Sequence, residues 1–220
     1  MKKISTKQRI YTIKTERKKT MNTYIIKKIK DASELNTVPM LELENRYHDT
    51  PKDVRVFAGI GYSDEALHVH LRTVESEHRA EEVGLLGEPY HDSCLEFFFS
   101  PVSGDPKYFN FEFNSNKCLY VGYGENLQNS ARLIVDAAER FSPKVSFNTD
   151  GWEIEYRIPF AFIRLFAPEF QASPGVSIRA NCYKCADMMQ PEQYLSWSLI
   201  TPEKFTFHRP ECFGLMTFGE

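Results

Sequence analysis

No run of apolar residues in this chain approaches the roughly 20 needed to cross a bilayer as a helix, so membrane insertion is not expected. A disulfide framework is missing too: the five cysteines, Cys94, Cys118, Cys182, Cys185 and Cys212, are odd in number and irregular in spacing. Cys182 and Cys185 form a CxxC, but no second pair stands at a matching distance to complete a zinc site. Within a strand these two thiols point to opposite faces, so buried, reduced cysteines are expected. There is no GxSxG, no HExxH and no phosphate-cradling glycine loop. Gly59-x-Gly61 sits inside a strand pattern and lacks the rest of a dinucleotide fingerprint. Internal repeats, low-complexity tracts and Pro/Gly-rich linkers are likewise missing, which points to one domain over 21–220.

Positive charge is scarce outside the first twenty residues. The net charge is −3, but residues 1–20 hold eight Lys or Arg and one Glu, which leaves 19 basic and 29 acidic residues beyond them, a net of −10. A body this acidic repels nucleic-acid phosphates, so no nucleic-acid partner is expected. The basic stretch 1–20 has no apolar segment after it and is a poor secretory signal. It reads as a disordered leader or an upstream extension of a true start at Met21. The default compartment is then cytoplasmic, with export only if the start site is misassigned.

Aromatic residues are abundant, with 17 Phe, 11 Tyr and 2 Trp. Many occupy every second position of short runs. Phe109, Phe111 and Phe113 alternate with Tyr108, Asn110, Glu112 and Asn114; Leu95, Phe97 and Phe99 alternate with Cys94, Glu96 and Phe98. This period is that of half-buried β-strands. Similar runs cover 54–62, 67–73, 117–123, 152–158, 176–183 and 213–218, and "MNTYIIKKI" supplies a first strand. Ser63-Asp64-Glu65 reads as a tight hairpin link and Asn148-Thr149-Asp150-Gly151 as a turn. Pro159 ends one run, and Phe160, Phe162, Ile163 and Phe166 after it predict a short helical turn. Residues 75–93 and 124–143 lack the period and are expected to be loops or short helices at sheet edges. The expected class is an all-β antiparallel sandwich.

The polar partners of the alternating strands include His68, His70, Arg72, Glu96, Asn110, Glu112, Asn114, Arg179, Asn181 and Tyr183. On one outer sheet face they would suit sugar hydroxyls, which donate and accept hydrogen bonds at once. The plainer reading is a solvated face with cross-strand ion pairs. His68-x-His70 could start a metal site but shows no third ligand. Glu96 and Glu112 could be the paired carboxylates of a glycoside hydrolase, although carboxylates of an Arg-paired network are the preferred reading. Trp152 and Trp197 lie in strand-like runs and are expected in the core.

Several strings occur in an order that resembles one family: "PYHDSCLEFFFSP" (89–101), "YFNFEFNSNK" (108–117), "WEIEYRIPF" (152–160), "RANCYKC" (179–185) and "LSWSLITPEKFTFHRPECFGLMTF" (195–218). Together they resemble the family 9 carbohydrate-binding modules, over roughly 22–220. The resemblance implies a β-sandwich of the DOMON-like type that binds a sugar without catalysis, stacking it between two aromatic rings. It implies a glucan- or xylan-type glycan and association with glycan-degrading enzymes. By motif the rings correspond to Tyr90, in Pro89-Tyr90, and to Phe207, in "FHRPECFG". Glu96 corresponds to the family's acidic strand residue, and Glu112 stands where the family has a sugar-contacting Arg. Arg179, Asn110 and His208 complete the expected ligand-binding set. No cofactor is expected beyond calcium as a structural ion. Met188, Met189 and His208 are the only hints of haem, which some DOMON-like sandwiches bind.

Overall fold

The structure, a computed structural model, describes residues 21–201 and 205–220. The basic stretch expected as a leader, 1–20, lies outside the described residues. In chain order the strands are β1 (Thr23–Lys28), β2 (Leu41–Glu42), β3 (Asn45–Tyr47), β4 (Arg55–Tyr62), β5 (Ala66–Val74), β6 (Cys94–Ser100) and β7 (Tyr108–Asn114). There follow β8 (Leu119–Gly124), β9 (Ser130–Arg132), β10 (Lys144–Asn148), β11 (Gly151–Pro159), β12 (Ser177–Cys185), β13 (Tyr194–Ser196) and β14 (Gly214–Phe218). Two short helices, α1 (Ala137–Phe141) and α2 (Phe160–Arg164), flank β10 and β11. None of the described helices is long and apolar enough to cross a membrane.

The strands follow the order β10-β11-β5-β4-β1-β14-β12-β6-β7-β8-β9, a single sheet curled into two layers. Residues Thr23–Ile26 of β1 pair with β14, and Lys27–Lys28 pair with β4, so β1 belongs to both layers. Both of these pairings are parallel, whereas the other described ladders are antiparallel. The sandwich expected from the alternation is therefore present, with β1 as its parallel seam.

The alternation is what fills the space between the layers. Phe97, Phe99, Phe109, Phe111 and Phe113 point inward from one layer; Leu67, Val69, Leu71, Trp152, Ile154 and Ile158 point inward from the other. The rings meet across the gap, with Phe113 and Tyr156 centroids 4.8 Å apart. Each fully buried Phe contributes roughly 1.5–3 kcal/mol through the surface it removes from water. Trp152 and Trp197 lie in this core, as expected. The apolar residues after Pro159 form α2, whose Phe160, Phe162 and Ile163 are buried.

One ion pair is enclosed in this apolar space. Lys184 Nζ lies 2.9 Å from Glu75 Oε2, and both side chains are almost wholly buried. Ser93 Oγ donates to Glu75 Oε1 at 2.6 Å and accepts from Lys184 at 2.7 Å, while Trp152 Nε1 donates to Glu75 Oε1 at 2.8 Å. The charges neutralise each other, Ser93 and Trp152 satisfy Glu75 Oε1, and Oε2 has the ammonium as its counter-charge; pairing of this kind is the condition under which buried charge is tolerated.

The structure divides the polar residues that the alternation grouped on one face. His68, His70 and Arg72 stand on β5, in the first layer, where they meet Ser63, Glu153 and Asp150. Glu96, Asn110, Glu112, Asn181 and Tyr183 stand on β6, β7 and β12, in the second layer. A period of two reports which face a residue takes, not which sheet its strand joins. The segment 124–143, expected as loops or short helices, does contain the short helix α1 but also the edge strand β9, and β10 follows it as an almost wholly exposed strand at the sheet's edge.

Candidate functional site

The outer face of the second layer is covered, and its cover builds the site. Residues 197–201 and 205–213 lie over β12 and β6, held by side chains of the second layer. Asn181 Oδ1 accepts from Ser198 N at 2.8 Å, and its Nδ2 donates to Ser198 O at 2.9 Å. The Tyr183 hydroxyl donates to Phe207 O at 3.2 Å, and Arg179 Nη2 donates to Phe213 O at 2.9 Å and Glu211 O at 3.1 Å. His208 Nδ1 meets the Tyr108 hydroxyl at 2.7 Å. A second apolar cluster, including Phe98, Tyr108, Tyr183, Phe207 and Phe213, forms beneath this cover.

The opposite wall comes from the loop 75–93. Its organiser is Asp92, which is fully buried. Its carboxylate accepts from Glu81 N at 2.9 Å, Glu82 N at 2.8 Å and Asn114 Nδ2 at 2.7 Å, and from the Arg79 guanidinium. Arg132 lies over the Tyr120 ring at 4.6 Å and donates to the carbonyls of Leu85, Leu86 and Gly87. The loop so fixed ends in a single helical turn, Pro89–His91, that presents Tyr90. Asp187 N donates to Tyr90 O at 3.0 Å and Met188 N to His91 O at 3.1 Å, which ties the segment after β12 to the same wall.

Between these walls lies a cleft of about 460 Å³. This size suits a small ligand. Tyr90 and Phe207 both line it, with Tyr120, Tyr194, Phe205 and Phe98 as further rings. Glu96 and Glu112, directly opposed on β6 and β7, form its floor with Cys185, and Asp187 and His208 lie at its sides. The Phe207 ring is already stacked on Tyr183, with centroids 4.2 Å apart and planes 11° off parallel, so one of its faces is occupied by protein. The Tyr90 hydroxyl donates to Glu88 Oε1 at 2.5 Å.

The floor is electrostatically unusual. Among the described residues no Lys or Arg lines the cleft. Glu96 and Glu112 are 2% and 4% exposed. Burial raises the pKa of both; the neighbouring Glu112 raises Glu96 further, while Asn110, donating to Glu112 Oε1 at 2.7 Å, offsets part of the effect on Glu112. Cys185 Sγ donates to Glu96 Oε1 at 2.7 Å, and Glu96 Oε2 is buried without any hydrogen-bond partner. Burial lowers His208 to about 4, so this imidazole is neutral at pH 7. Burial also raises Asp187, which the Tyr194 hydroxyl partly offsets by hydrogen bonding.

The structure thus brings together Tyr90, Phe207, Glu96, Glu112 and His208, five of the residues expected at the site. Asn110 lies behind the floor and acts on Glu112 rather than on the cleft; Gly122 opposite it leaves the room its amide needs, because an added Cβ would stand 2.2 Å from Asn110 Oδ1. Arg179 is not a cleft residue: its guanidinium holds the carbonyls of the covering segment. The expected Arg-paired network is likewise not found at Glu96 or Glu112, whose described hydrogen-bond partners are a thiol and an amide. Tyr120, Tyr194, Phe205 and Asp187 were not singled out from the sequence. Tyr120 is legible, since it faces Glu112 from β8 in the same phase; Tyr194 opens the three-residue strand β13, too short to show a period, and Phe205 and Asp187 lie outside the strands.

Cys94, Glu96 and Cys185 offer ligand atoms within 4.8 Å of one another, the one such trio of His, Cys, Asp or Glu among the described residues. Both thiols are raised by burial, Cys94 to about 12, so a metal would have to displace their protons. Two soft sulfurs with a single hard carboxylate do not make the oxygen shell that calcium takes. His68 and His70 are engaged by Ser63 and Glu153, and Met188, one of the haem hints, is exposed.

The comparisons with known proteins agree with this architecture. A crystal structure of a candidate carbohydrate-binding protein from Bacteroides uniformis matches with a TM-score of 0.78 and 26% identity, over 90% of this chain and all of that one. Two structures of a family 9 module from Caldicellulosiruptor kristjanssonii, in complex with glucose and with cellotriose, each match with a TM-score of 0.63 and 13% identity over 90% of this chain. They cover 97% and 94% of those chains and share the fold. No protein of curated function matches the sequence. The family model described as carbohydrate-binding family 9 matches residues 28–218, nearly the whole described fold, and the chain belongs to that family.

Proposed function

We propose that this protein is a non-catalytic carbohydrate-binding domain whose ligand occupies the cleft between Tyr90 and Phe207. The observation that carries the reading is the convergence of these two rings, from segments more than a hundred residues apart, on one cavity floored by Glu96 and Glu112. Sugar C–H faces pack on the rings and lose water, while the carboxylates and His208 take hydroxyls and set orientation. Phe207 borders the cleft from a largely buried position, 8% exposed with Tyr183 stacked on one face, and Tyr90, Tyr120, Tyr194 and Phe205 extend the aromatic surface. A glucan- or xylan-type chain end, bound in the service of glycan-degrading enzymes, is the ligand class this reading favours.

Calorimetric titration with short glucans and xylans tests it. Tyr90→Ala and Phe207→Ala are each expected to weaken binding about tenfold, on the scale of about 1–1.5 kcal/mol for an aromatic contact. Heat with none of the sugars, or unchanged affinity in the double variant, would overturn it. The hydrolase reading draws on the same two glutamates. As cross-strand neighbours on one sheet face they lie side by side beneath a ligand, whereas hydrolase carboxylates flank the scissile bond. Turnover of a chromogenic glycoside, lost in both Glu96→Gln and Glu112→Gln, is the result that would restore it.

A further inference from the structure

The floor of the cleft carries an unmet requirement for positive charge. Glu96 and Glu112 are buried side by side, and Asp187 adds a third carboxylate at the wall. Among the described residues no cationic side chain lines the space, and Glu96, which does line it, has its buried Oε2 without a hydrogen-bond donor. The nearest charges are turned elsewhere. Lys184 points to the opposite face of β12, where Glu75 and Ser93 engage it; Arg132 is spent on the carbonyls of the 85–87 loop and on Tyr120. Around the floor stand rings of Tyr90, Tyr120 and Phe98. Carboxylates beneath aromatic faces are the surroundings that hold an ammonium group, which supplies three donors and is attracted by the rings as well.

We propose that the cleft selects an amino sugar with a free amine, a 2-amino-2-deoxyhexose unit, whose ammonium group is received by Glu96 Oε2 and the neighbouring Glu112. The inference rests on the carbohydrate reading above and names its substrate class. A neutral hydroxyl could satisfy Oε2 but would leave two adjacent carboxyls competing for one negative charge. An ammonium lets both ionise. Ligand entry therefore displaces protons that burial holds on the pair. Lys184 favours ionised Glu96 and Arg132 ionised Glu112, although neither lines the cleft; the groups that face the pair are Cys94 from β6, Tyr108 from β7, Tyr183, Cys185 and Asp187 from the β12 side, Tyr120 from β8, Tyr90 from the loop, and the neutral His208 from the cover. None of these facing groups supplies a compensating cation at neutral pH.

Calorimetry at pH 7 with the methyl glycosides of glucose, glucosamine and N-acetylglucosamine, and their galactose counterparts, tests the proposal. The free amine is expected to bind at least tenfold more tightly than the neutral sugar, the usual gain of a charge-assisted hydrogen bond, and acetylation should remove the gain. Titration in buffers of different ionisation enthalpy should show proton release with the amine alone, and its affinity should fall from pH 7 to pH 5. Glu112→Gln should bring the ratio of amine to neutral-sugar affinity down at least tenfold, whatever its effect on neutral binding itself, with thermal melting as the folding control. Neutral sugar bound as tightly as the amine would overturn this inference and leave the carbohydrate reading standing. So would neutral binding that requires calcium and is lost with chelator, since a metal would then neutralise the floor. No binding of any of these sugars by folded protein would remove both.

Discussion

Two buried clusters of charge lie on opposite sides of the same layer, and they are built differently. Inside the sandwich, Glu75 and Lys184 form an ion pair in which Ser93 and Trp152 donate to Glu75 Oε1, the ammonium donates to Ser93, and Oε2 faces the ammonium. On the outer side, Glu96 and Glu112 are as well buried, yet they face each other rather than a cation, and one carboxylate oxygen has no partner. The contrast runs through single strands: β12 turns Lys184 inward and Cys185 outward to the cleft. Interior charge that is complete holds a structure together. Charge left incomplete at a cavity wall is what an incoming molecule can complete, at a cost to the empty protein.

The comparison breaks most visibly at the interior pair. Lys184→Met strands a carboxylate in the core and should cost about 3–5 kcal/mol in urea denaturation. The double variant Glu75→Gln, Lys184→Met should recover much of that loss, since Gln keeps an acceptor for Trp152 and Ser93. Next in size is Arg79→Ala, which takes one charged donor from fully buried Asp92 and should cost about 1.5–3 kcal/mol. Sugar affinity should fall with it, although Arg79 does not line the cleft, because the Tyr90 wall loses its anchor.

The cleft pair should respond with the opposite sign. Both glutamates have pKa values raised in the folded state, so the native protein holds more protons than the unfolded chain above the usual carboxylate range. Their burial is tolerated fully below that range, and stability falls as pH rises through the native values, by up to about 1.4 kcal/mol per pH unit for each proton of difference. Glu112→Gln should accordingly stabilise the protein by about 1 kcal/mol at pH 8 and not at pH 4, as followed by denaturation across that range. A destabilised variant at pH 8 would place the pair in the same class as Glu75 and Lys184. The smallest effect belongs to Arg179→Ala, about 1 kcal/mol of stability from two carbonyl bonds at a partly exposed site. A loss of sugar affinity beyond tenfold with stability unchanged would instead return Arg179 to the ligand.

The alternation of aromatic and polar residues made β4 to β8, β11 and β12 legible, because one face of each is buried and the period survives in the composition. It did not reveal β10, whose residues are exposed on both sides apart from half-buried Val145, so no apolar phase exists to read. Nor could it show that His68 and Glu96 belong to different layers. The interior ion pair left a trace that was overlooked: Lys184 is in phase with Ile178, Ala180 and Cys182, and Glu75 with Leu67, Val69 and Leu71. A charge in apolar phase at the end of a strand asks for a partner of opposite sign. Tyr90 and Phe207 follow from motif order, whereas Phe205 and Asp187 depend on how loops cross the sheet, and Tyr194 on the pairing of the short strand β13 with β3, neither of which local sequence encodes.

The double membership of β1 bears on how this domain comes into being. Its first half needs Leu215–Phe218 as a neighbour and its second half needs Gly61 and Tyr62. The two layers can therefore be stitched together only after residues 215–218 have been synthesised. Closure across so long a stretch of sequence is entropically slow, so newly made chains should pass through a stage in which the phenylalanine-rich surfaces await each other.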